Sequence, residues 1–467
     1  MGNSALGFID LTLIGVYFAV VLVFGLIKRK SDASGETQYL LSGRKLTLPF
    51  FVATLVSTWY GAILGVGEYG YLYGVSIWLI FGVPYYVFAI LYAFFLAGKV
   101  RSNPAATIPE AVGNAFGKTA GRVSAALVFL LVNPAPYILM LALLFGHIAG
   151  VDGYVLLISS GIALFSAVYV SGGGFGAVVR TDAIQVVLMF LGFGLIVITA
   201  MGHLSPVELW QRLPETHRDL TGGQSVQYLL VWFFIAMLTF ADPGFHQRVA
   251  AAKSGASARK GILISVGFWF LFDSLSISAA LYSSTLAGEL ENTSLAFPAL
   301  ADTLLAPGAR GLFYLALLAT IMSTLDSFLF LSGQTLGKDI LKAIFPAQST
   351  IKLVQWSVFA SVVVSLVMIL ILPGIISMWY VAGSIVVPGL LVPVLAAYFP
   401  AMKLSRHGAV IIGIAASCVS FVWAVAGGVT NGGNGDFSFW GIEPFYPGIA
   451  VSLFVWVIAR TGDIVKE

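Results

Sequence analysis

Apolar stretches of 18 or more residues recur along the whole of this 467-residue chain. A helix of about 20 apolar residues spans the hydrocarbon core of a bilayer, so the pattern predicts an all-α polytopic membrane protein. A transmembrane β-barrel would show alternating segments of about ten residues instead. Only 10% of the residues are charged, against roughly 25% in soluble domains. The sequence therefore excludes a soluble globular protein.

The apolar stretches divide into thirteen predicted transmembrane helices, separated by loops too short to hold a further folded domain. The helices are predicted at residues 8–27, 48–71, 75–98, 122–149, 152–171, 175–201, 226–247, 260–286, 308–333, 352–372, 374–400, 407–427 and 441–461.

The basic residues give the predicted orientation. With the N-terminus outside and the C-terminus cytoplasmic, 21 of the 24 Lys and Arg fall in predicted cytoplasmic segments, as positive charge is retained on that side during insertion. Only Arg212, Arg218 and Arg310 fall elsewhere. This predicts a multi-pass protein of the plasma membrane, or of the inner membrane in a bacterium. The net charge of +3 is too small to indicate a nucleic-acid partner, and the one cysteine excludes a disulfide framework.

Ionisable residues at membrane depth cost roughly 2.5–3.5 kcal/mol each, so each needs a reason. Those near predicted helix ends lie close to water, whereas Asp182 and Asp326 do not, and Asp273 has no obvious partner. The full set is Glu68, Asp182, Asp242, Asp273 and Asp326, with His147 and His246.

The stretch "ATIMSTLDSF" places four hydroxyls and a carboxylate within eight residues of one apolar helix. Thr320, Ser323, Thr324 and Ser327 are three or four residues apart, so they share a helix face, and Asp326 borders it. Hydroxyls on such a face can simply bond to a neighbouring helix. Five oxygen-bearing side chains, one of them a carboxylate, instead favour a site for a small hard cation.

Two predicted helices contain interruptions. "STWYGAILGVGEYGYLYG" in the second carries glycines at 61, 65, 67 and 70, and "LTFADPGFHQR" in the seventh carries Asp-Pro-Gly. Interruptions at matching positions of two halves indicate an inverted-repeat transporter with a site near the bilayer midplane. The match of "GVGEYG" to a dinucleotide motif lies inside a membrane span, where that motif has no such meaning. No nucleophile and base are suitably placed either, so the chain is predicted not to be an enzyme.

Four stretches together resemble the sodium:solute symporter family, the sodium-coupled transporters of sugars, proline, pantothenate and sialic acid. They are "YLLSGRKLTLPFFVATLVSTWYG", "GGGFGAVVRTDAIQVVLMFLG", "ADPGFHQRVAAAKSGASARKGILIS" and "LATIMSTLDSFLFLSGQTLGKDI". The resemblance implies a leucine-transporter-type fold with five helices repeated in inverted topology. It implies a leading helix and loop at 1–47, repeats at 48–205 and 226–400, and two further helices at 401–467.

The resemblance also implies a sodium site between the broken second helix and the hydroxyl face. Ser323 and Thr324 would supply hydroxyls, and Thr320, Leu55 and Thr58 would supply carbonyls. Some members bind a second cation, which here would use Asp182, Ser323, Asp326 and Ser327. Asp326 departs from the family, which has a serine there. This carboxylate would either strengthen the second site or take a proton or a basic partner instead.

These features predict a sodium-coupled symporter that imports a small polar organic solute by alternating access. A proton-coupled transporter using Asp182 and Asp326, and a non-transporting solute sensor, remain alternatives. No lysine or arginine is predicted at membrane depth, which favours a neutral or zwitterionic solute over an acid. The sequence leaves the solute, the number of sodium ions and the oligomeric state open. Candidate solute contacts, chosen by position, are Trp59, Glu68, Asn133, Tyr137 and Phe240.

Overall fold

The computed structural model describes residues 6–26, 35–372, 374–432 and 436–461. Within these residues the chain is helical, and its only β pairings are two isolated bridges, Leu46 with Ala252 and Phe439 with Ile442. Residues 28–34 of the first predicted loop lie outside the described residues. Helices of the first half are α1 (Phe8–Leu26), α2 (Glu36–Leu41), α3 (Leu48–Trp59), α4 (Ile63–Tyr73), α5 (Val83–Phe95), α6 (Ala97–Ser102), α7 (Ile108–Phe116), α8 (Lys118–Leu131), α9 (Ala135–Ala149), α10 (Val155–His203), α11 (Pro206–Arg212) and α12 (Glu215–Arg218).

The second half continues the same all-helical arrangement. Its helices are α13 (Val226–Ile235), α14 (Pro243–Ala251), α15 (Gly255–Leu286), α16 (Ala296–Leu304), α17 (Ala309–Gln334), α18 (Lys342–Ile344), α19 (Thr350–Ile371), α20 (Ile375–Tyr398), α21 (Arg406–Ile411), α22 (Ser417–Thr430) and α23 (Phe445–Thr461).

Eleven helical segments of the described chain are long and apolar enough to cross a membrane. One of them, α10, has 49 residues, which is far too long for a single crossing of about 20. Gly174 divides it with a φ of 60° and a ψ of −158°, a backbone conformation that glycine tolerates because it lacks a Cβ. Counting the two parts of α10 separately and adding the shorter α23 gives thirteen segments, which agree with the predicted set.

The two predicted interruptions are present. A 3₁₀ turn at Tyr60–Ala62 separates α3 from α4, and another at Ala236–Phe240 precedes the start of α14. Asp242 caps α14, because its carboxylate Oδ1 accepts a hydrogen bond of 2.5 Å from the Phe245 amide. Both helices therefore expose backbone groups in the middle of the bundle.

Helix α17 lies at the centre of the bundle, packed against α3, α9, α10 and α19. Nearly all of its side chains are buried. Its hydroxyl-bearing face, Thr320 to Ser327, therefore meets protein on all sides rather than lipid.

The two broken helices are joined at the end of the bundle that carries most of the basic residues, hereafter the basic end. The Leu46 amide donates to the Ala251 carbonyl at 3.0 Å, and the Lys253 amide donates to the Leu46 carbonyl at 3.1 Å. The Arg44 guanidinium donates to the carbonyls of Asn103 and Pro104 at 2.9 and 2.7 Å. These bonds close the basic end beneath the interrupted segments.

Candidate ion and solute site

The broken helix approaches α17 most closely at Gly61, in the turn between α3 and α4. A Cβ built on Gly61 would overlap the side chain of Thr324. The Thr324 hydroxyl donates a hydrogen bond of 2.8 Å to the Thr58 carbonyl. The interruption thus places a backbone carbonyl and a hydroxyl oxygen face to face in the middle of the bundle.

The residues predicted for the first sodium site lie on these two helices. Ser323 and Thr324 are buried on α17, next to Thr58 on α3. Leu55 is buried one turn earlier on α3. The Thr320 hydroxyl donates to the Ala316 carbonyl of its own helix at 2.7 Å. The structure therefore brings Thr58 and Thr324 into direct contact.

Asp182 on α10 is fully buried beside this contact. The Ser323 hydroxyl donates to its Oδ1 at 2.5 Å, and the Thr54 hydroxyl donates to its Oδ2. The Thr58 hydroxyl is 3.5 Å from the same Oδ2 and 3.3 Å from the Ser327 hydroxyl. Asp182, Ser323 and Ser327, three of the four residues predicted for the second cation site, therefore lie in one hydrogen-bonded cluster with two threonines of α3.

The prediction that no lysine or arginine lies at membrane depth is wrong. Arg248 is fully buried, and its Nη2 lies 2.6 Å from the Thr58 hydroxyl, 2.8 Å from the Ser327 hydroxyl and 3.5 Å from Asp182 Oδ2. Its Nε donates to the Thr54 carbonyl at 3.2 Å. The prediction ended the seventh helix at residue 247, whereas α14 continues to Ala251 with every residue buried.

Asp326 is buried and accepts its hydrogen bond from outside this cluster. Its Oδ1 accepts a hydrogen bond of 2.5 Å from the Tyr169 hydroxyl of α10. Its Oδ2 is buried and has no hydrogen-bond partner among the described residues. Among the described residues, Asp326 therefore makes no hydrogen bond to the other three residues predicted for the second cation site.

A cavity of about 170 Å³ lies between the interrupted segments of the two broken helices. Two of the predicted solute contacts, Trp59 and Tyr137, line it, together with Tyr85, Asp242 and Asp273, which the prediction did not assign to it. Sequence reasoning could have found these three missed residues as aromatic or carboxylate side chains that lie next to a predicted helix break or on the neighbouring predicted helix.

The other three predicted contacts make structural interactions elsewhere. Glu68 accepts hydrogen bonds from the hydroxyls of Thr293 and Ser294, at 3.2 and 2.7 Å. Asn133 Oδ1 accepts from the Ala135 amide and from the Ser365 hydroxyl, both at 3.0 Å. Phe240 packs its ring on the rings of Phe88 and Tyr92. None of the three is among the described residues that line the cavity.

Comparison with known proteins finds one matching family model and related transport proteins. The model of the sodium:solute symporter family matches residues 39–415. The sodium/glucose cotransporter of Vibrio parahaemolyticus is 26% identical over 416 residues, covering 79% of this chain and 76% of that protein. The sodium/proline symporter of Haemophilus influenzae is 28% identical over 353 residues, covering 68% of each chain.

Solved structures show the same fold. A substrate-bound, outward-open Na⁺-coupled sialic acid symporter superposes with a TM-score of 0.75 at 18% sequence identity, covering 98% of both chains. The transporter MhsT in complex with L-phenylalanine superposes with a TM-score of 0.57 at 14% identity, covering 88% of this chain and 97% of that chain. The leucine-transporter-type fold is therefore confirmed. Because the family match covers most of the chain, this multi-pass membrane protein belongs to the sodium:solute symporter family and is a transporter, not an enzyme.

Proposed function

We propose that this chain imports a small polar organic solute together with sodium by alternating access. One observation carries the proposal: the 2.8 Å contact between the Thr324 hydroxyl and the Thr58 carbonyl, where Gly61 lets the broken helix touch α17. Sodium is bound by oxygen ligands, and this contact offers two of them from different helices. The similarity to sodium/glucose and sodium/proline symporters supports sodium as the coupling ion.

In this proposal sodium binds between α3 and α17. The Ser323 hydroxyl already donates its hydrogen to Asp182, so the lone pairs of its oxygen are free for a cation. Thr324 would turn its hydrogen away from the Thr58 carbonyl, so that both oxygens bind the ion. The carbonyls of Leu55 and Thr320 complete the proposed site.

Coupling follows if sodium binds one conformation better than the other. A ligand with equal affinity for two states shifts neither population. A sodium ion held jointly by α3 and α17 is lost when these helices separate, so it stabilises the conformation in which the basic end is closed. Solute then binds in the adjoining cavity, and separation of the helices at the basic end releases both to the cytoplasm. The segments 48–205 and 226–400 are the proposed inverted repeats that move against each other.

A second sodium at Asp182, Ser323, Asp326 and Ser327 is a separate prediction. Arg248 already supplies a positive charge 3.5 Å from Asp182 and bonds to Ser327. Two of the ligands predicted for a second ion are thus already engaged by the guanidinium. A second sodium ion would require the guanidinium to move, so our mechanism uses one.

The test is uptake by purified protein in proteoliposomes under a sodium gradient at constant pH. Ser323→Ala and Thr324→Ala should each raise the sodium concentration needed for half-maximal uptake about tenfold or more. Thr324→Ser retains the hydroxyl, so its sodium activation should match that of the unaltered protein. Ser332→Ala is the matched control, because Ser332 is a buried hydroxyl of the same helix that bonds instead to Ser361 of α19. Sodium dependence that is unchanged in both alanine variants would overturn the site.

Proton coupling is the alternative that an observation favours, because one buried carboxylate oxygen of Asp326 has no hydrogen-bond partner within the described part of the chain. A proton gradient without sodium should then drive uptake, and Asp326→Asn should abolish it. Sodium-driven uptake that persists in Asp326→Asn supports the sodium mechanism. A solute sensor would bind solute and give no uptake under either gradient.

A further inference from the structure

The wall of the central cavity combines aromatic rings with carboxylates. Trp59 stacks on Trp269 with ring centroids 4.7 Å apart, and the Tyr85 ring meets Trp59 edge-on at 5.1 Å. Tyr137 and Trp379 also line the cavity, with ring centroids 6.1 Å apart and the rings tilted by 46°. Aromatic faces attract cations as well as apolar groups.

Two carboxylates, Asp242 and Asp273, line the same cavity. Asp242 uses Oδ1 to cap α14 and is only partly buried by protein, so it faces the cavity. Asp273 is 7% exposed and accepts a hydrogen bond from the Tyr86 hydroxyl. Neither carboxylate has a basic residue within ion-pair distance among the described residues.

Arg248 is the basic residue of the cavity lining, and it interacts electrostatically with both Asp182 and Asp242. Its guanidinium lies 3.5 Å from Asp182 Oδ2 and donates to Thr58, Ser327 and the Gly244 carbonyl. This one guanidinium is shared among more carboxylates than it can balance, because Asp273 lines the cavity in addition to Asp242 and Asp182 lies beside it. An uncompensated charge at membrane depth is costly, so the bound solute should reduce that cost.

We propose that the transported solute carries a positively charged nitrogen, which binds between the Asp242 carboxylate and the aromatic rings of Trp59 and Tyr85 that line the cavity. This inference rests on the proposed function and names the class of solute for the same cavity. The volume of about 170 Å³ is smaller than the roughly 300–1,000 Å³ of pockets for drug-sized ligands, so the solute is a small ammonium or amino compound. A neutral polyol would bring no further counter-charge to either carboxylate.

Binding can be measured as thermal stabilisation of the purified protein in detergent at fixed sodium. Choline and proline carry a cationic nitrogen, whereas 3,3-dimethyl-1-butanol has the shape of choline without the charge, and glucose is a neutral polyol. We expect choline, proline or both to stabilise the protein at millimolar concentration. The uncharged analogue and glucose should not. Stabilisation by glucose or by the analogue equal to that by choline would overturn the inference, as would the absence of any effect of choline and proline.

Asp242→Asn tests the residue itself. Asparagine is as good a helix cap as aspartate, so α14 keeps its cap while the charge is lost. The affinity for the stabilising compound should fall roughly thirtyfold or more, as expected when one partner of a desolvated charge pair is removed. Glu215→Gln, an exposed carboxylate on α12, is the matched control and should bind as the unaltered protein does. Equal affinity in Asp242→Asn would refute the assignment.

Sodium titration of the same samples separates this inference from the proposed function. Stabilisation by sodium that is lost in Thr324→Ala supports the ion site whichever solute binds. If sodium stabilises the protein but no cationic compound does, the solute class is wrong and the ion site stands. If a cationic compound binds equally well with and without sodium, the solute class stands and the coupling is wrong.

Discussion

Gly61 sets the distance between the broken helix and α17. Any larger residue there would place a Cβ against the Cβ, Oγ1 and Cγ2 atoms of Thr324. Thr324 is itself enclosed, so it has no room to yield. The distance between the two proposed ion ligands, Thr58 and Thr324, therefore depends on the absence of a side chain at Gly61.

We predict that Gly61→Ala impairs sodium binding more than folding. Overpacking of this kind costs about 1–3 kcal/mol, which a helical bundle of this size can absorb, but the two ligand oxygens would move apart. The sodium concentration needed for half-maximal thermal stabilisation should rise about tenfold or more. Gly194→Ala on α10, where a Cβ meets nothing within 4 Å, is the control. A Gly61→Ala protein with normal sodium dependence would show that the ion binds elsewhere.

The residue types of the candidate site could be predicted from the sequence, but the directions in which their side chains point could not. The hydroxyl face of α17 follows from helical periodicity, since Ser323, Thr324 and Ser327 are three or four residues apart. Asp326, between them in sequence, turns towards Tyr169 instead. That direction depends on which neighbouring helix packs there, and α10 is more than a hundred residues earlier in the chain.

At the scale of helices, the sequence predicted breaks better than ends. Both helix breaks have local causes, a cluster of glycines in one and Asp-Pro-Gly in the other, so both could be predicted from the sequence. The end of α14 could not be predicted. Basic residues usually mark the membrane surface, so the prediction ended the helix before Arg248. Arg248 breaks that rule because Asp182, on a different helix, compensates its charge inside the bundle.

Lys338 links three elements at the basic end. It follows α17, and its Nζ lies 3.0 Å from Glu36 Oε1 of α2 and 3.2 Å from Glu110 Oε2 of α7. Burial raises the pKa of Glu36, but the hydrogen bond and charge of Lys338 outweigh it, so that pKa lies below its ordinary value. Glu36 is therefore ionised at neutral pH, and the ion pairs hold α2 against the bundle.

We predict that Lys338→Gln loosens this end of the molecule. Partly exposed ion pairs contribute about 0.2–1 kcal/mol each, so losing both should speed hydrogen–deuterium exchange in Glu36–Leu41 by about fivefold. Lys352→Gln, an exposed lysine at the start of α19, should leave the exchange of that segment unchanged. Unchanged exchange in Lys338→Gln would mean that α2 is held by its buried side chains, Tyr39, Leu40 and Leu41, alone.

For the whole molecule, the charges in the core determine how transport responds to membrane potential. Asp182 and Arg248 balance each other, so they add no net charge to the moving parts. The solute and the sodium ion each bring one positive charge if the solute is a cation. Each elementary charge gains about 2.3 kcal/mol per 100 mV on crossing the membrane. An inside-negative potential should therefore drive import strongly.

We predict that two elementary charges enter per molecule of choline, if choline is the compound that binds. Proteoliposomes containing the protein can be clamped with potassium and valinomycin, while solute uptake and the accompanying charge are measured together. A ratio of two agrees with one sodium and a cationic solute, and Glu215→Gln protein should give the same ratio. A ratio of three would mean that a second sodium enters despite Arg248. A ratio of one would mean that the cation crosses without sodium, which would contradict symport through the contact of Thr58 with Thr324.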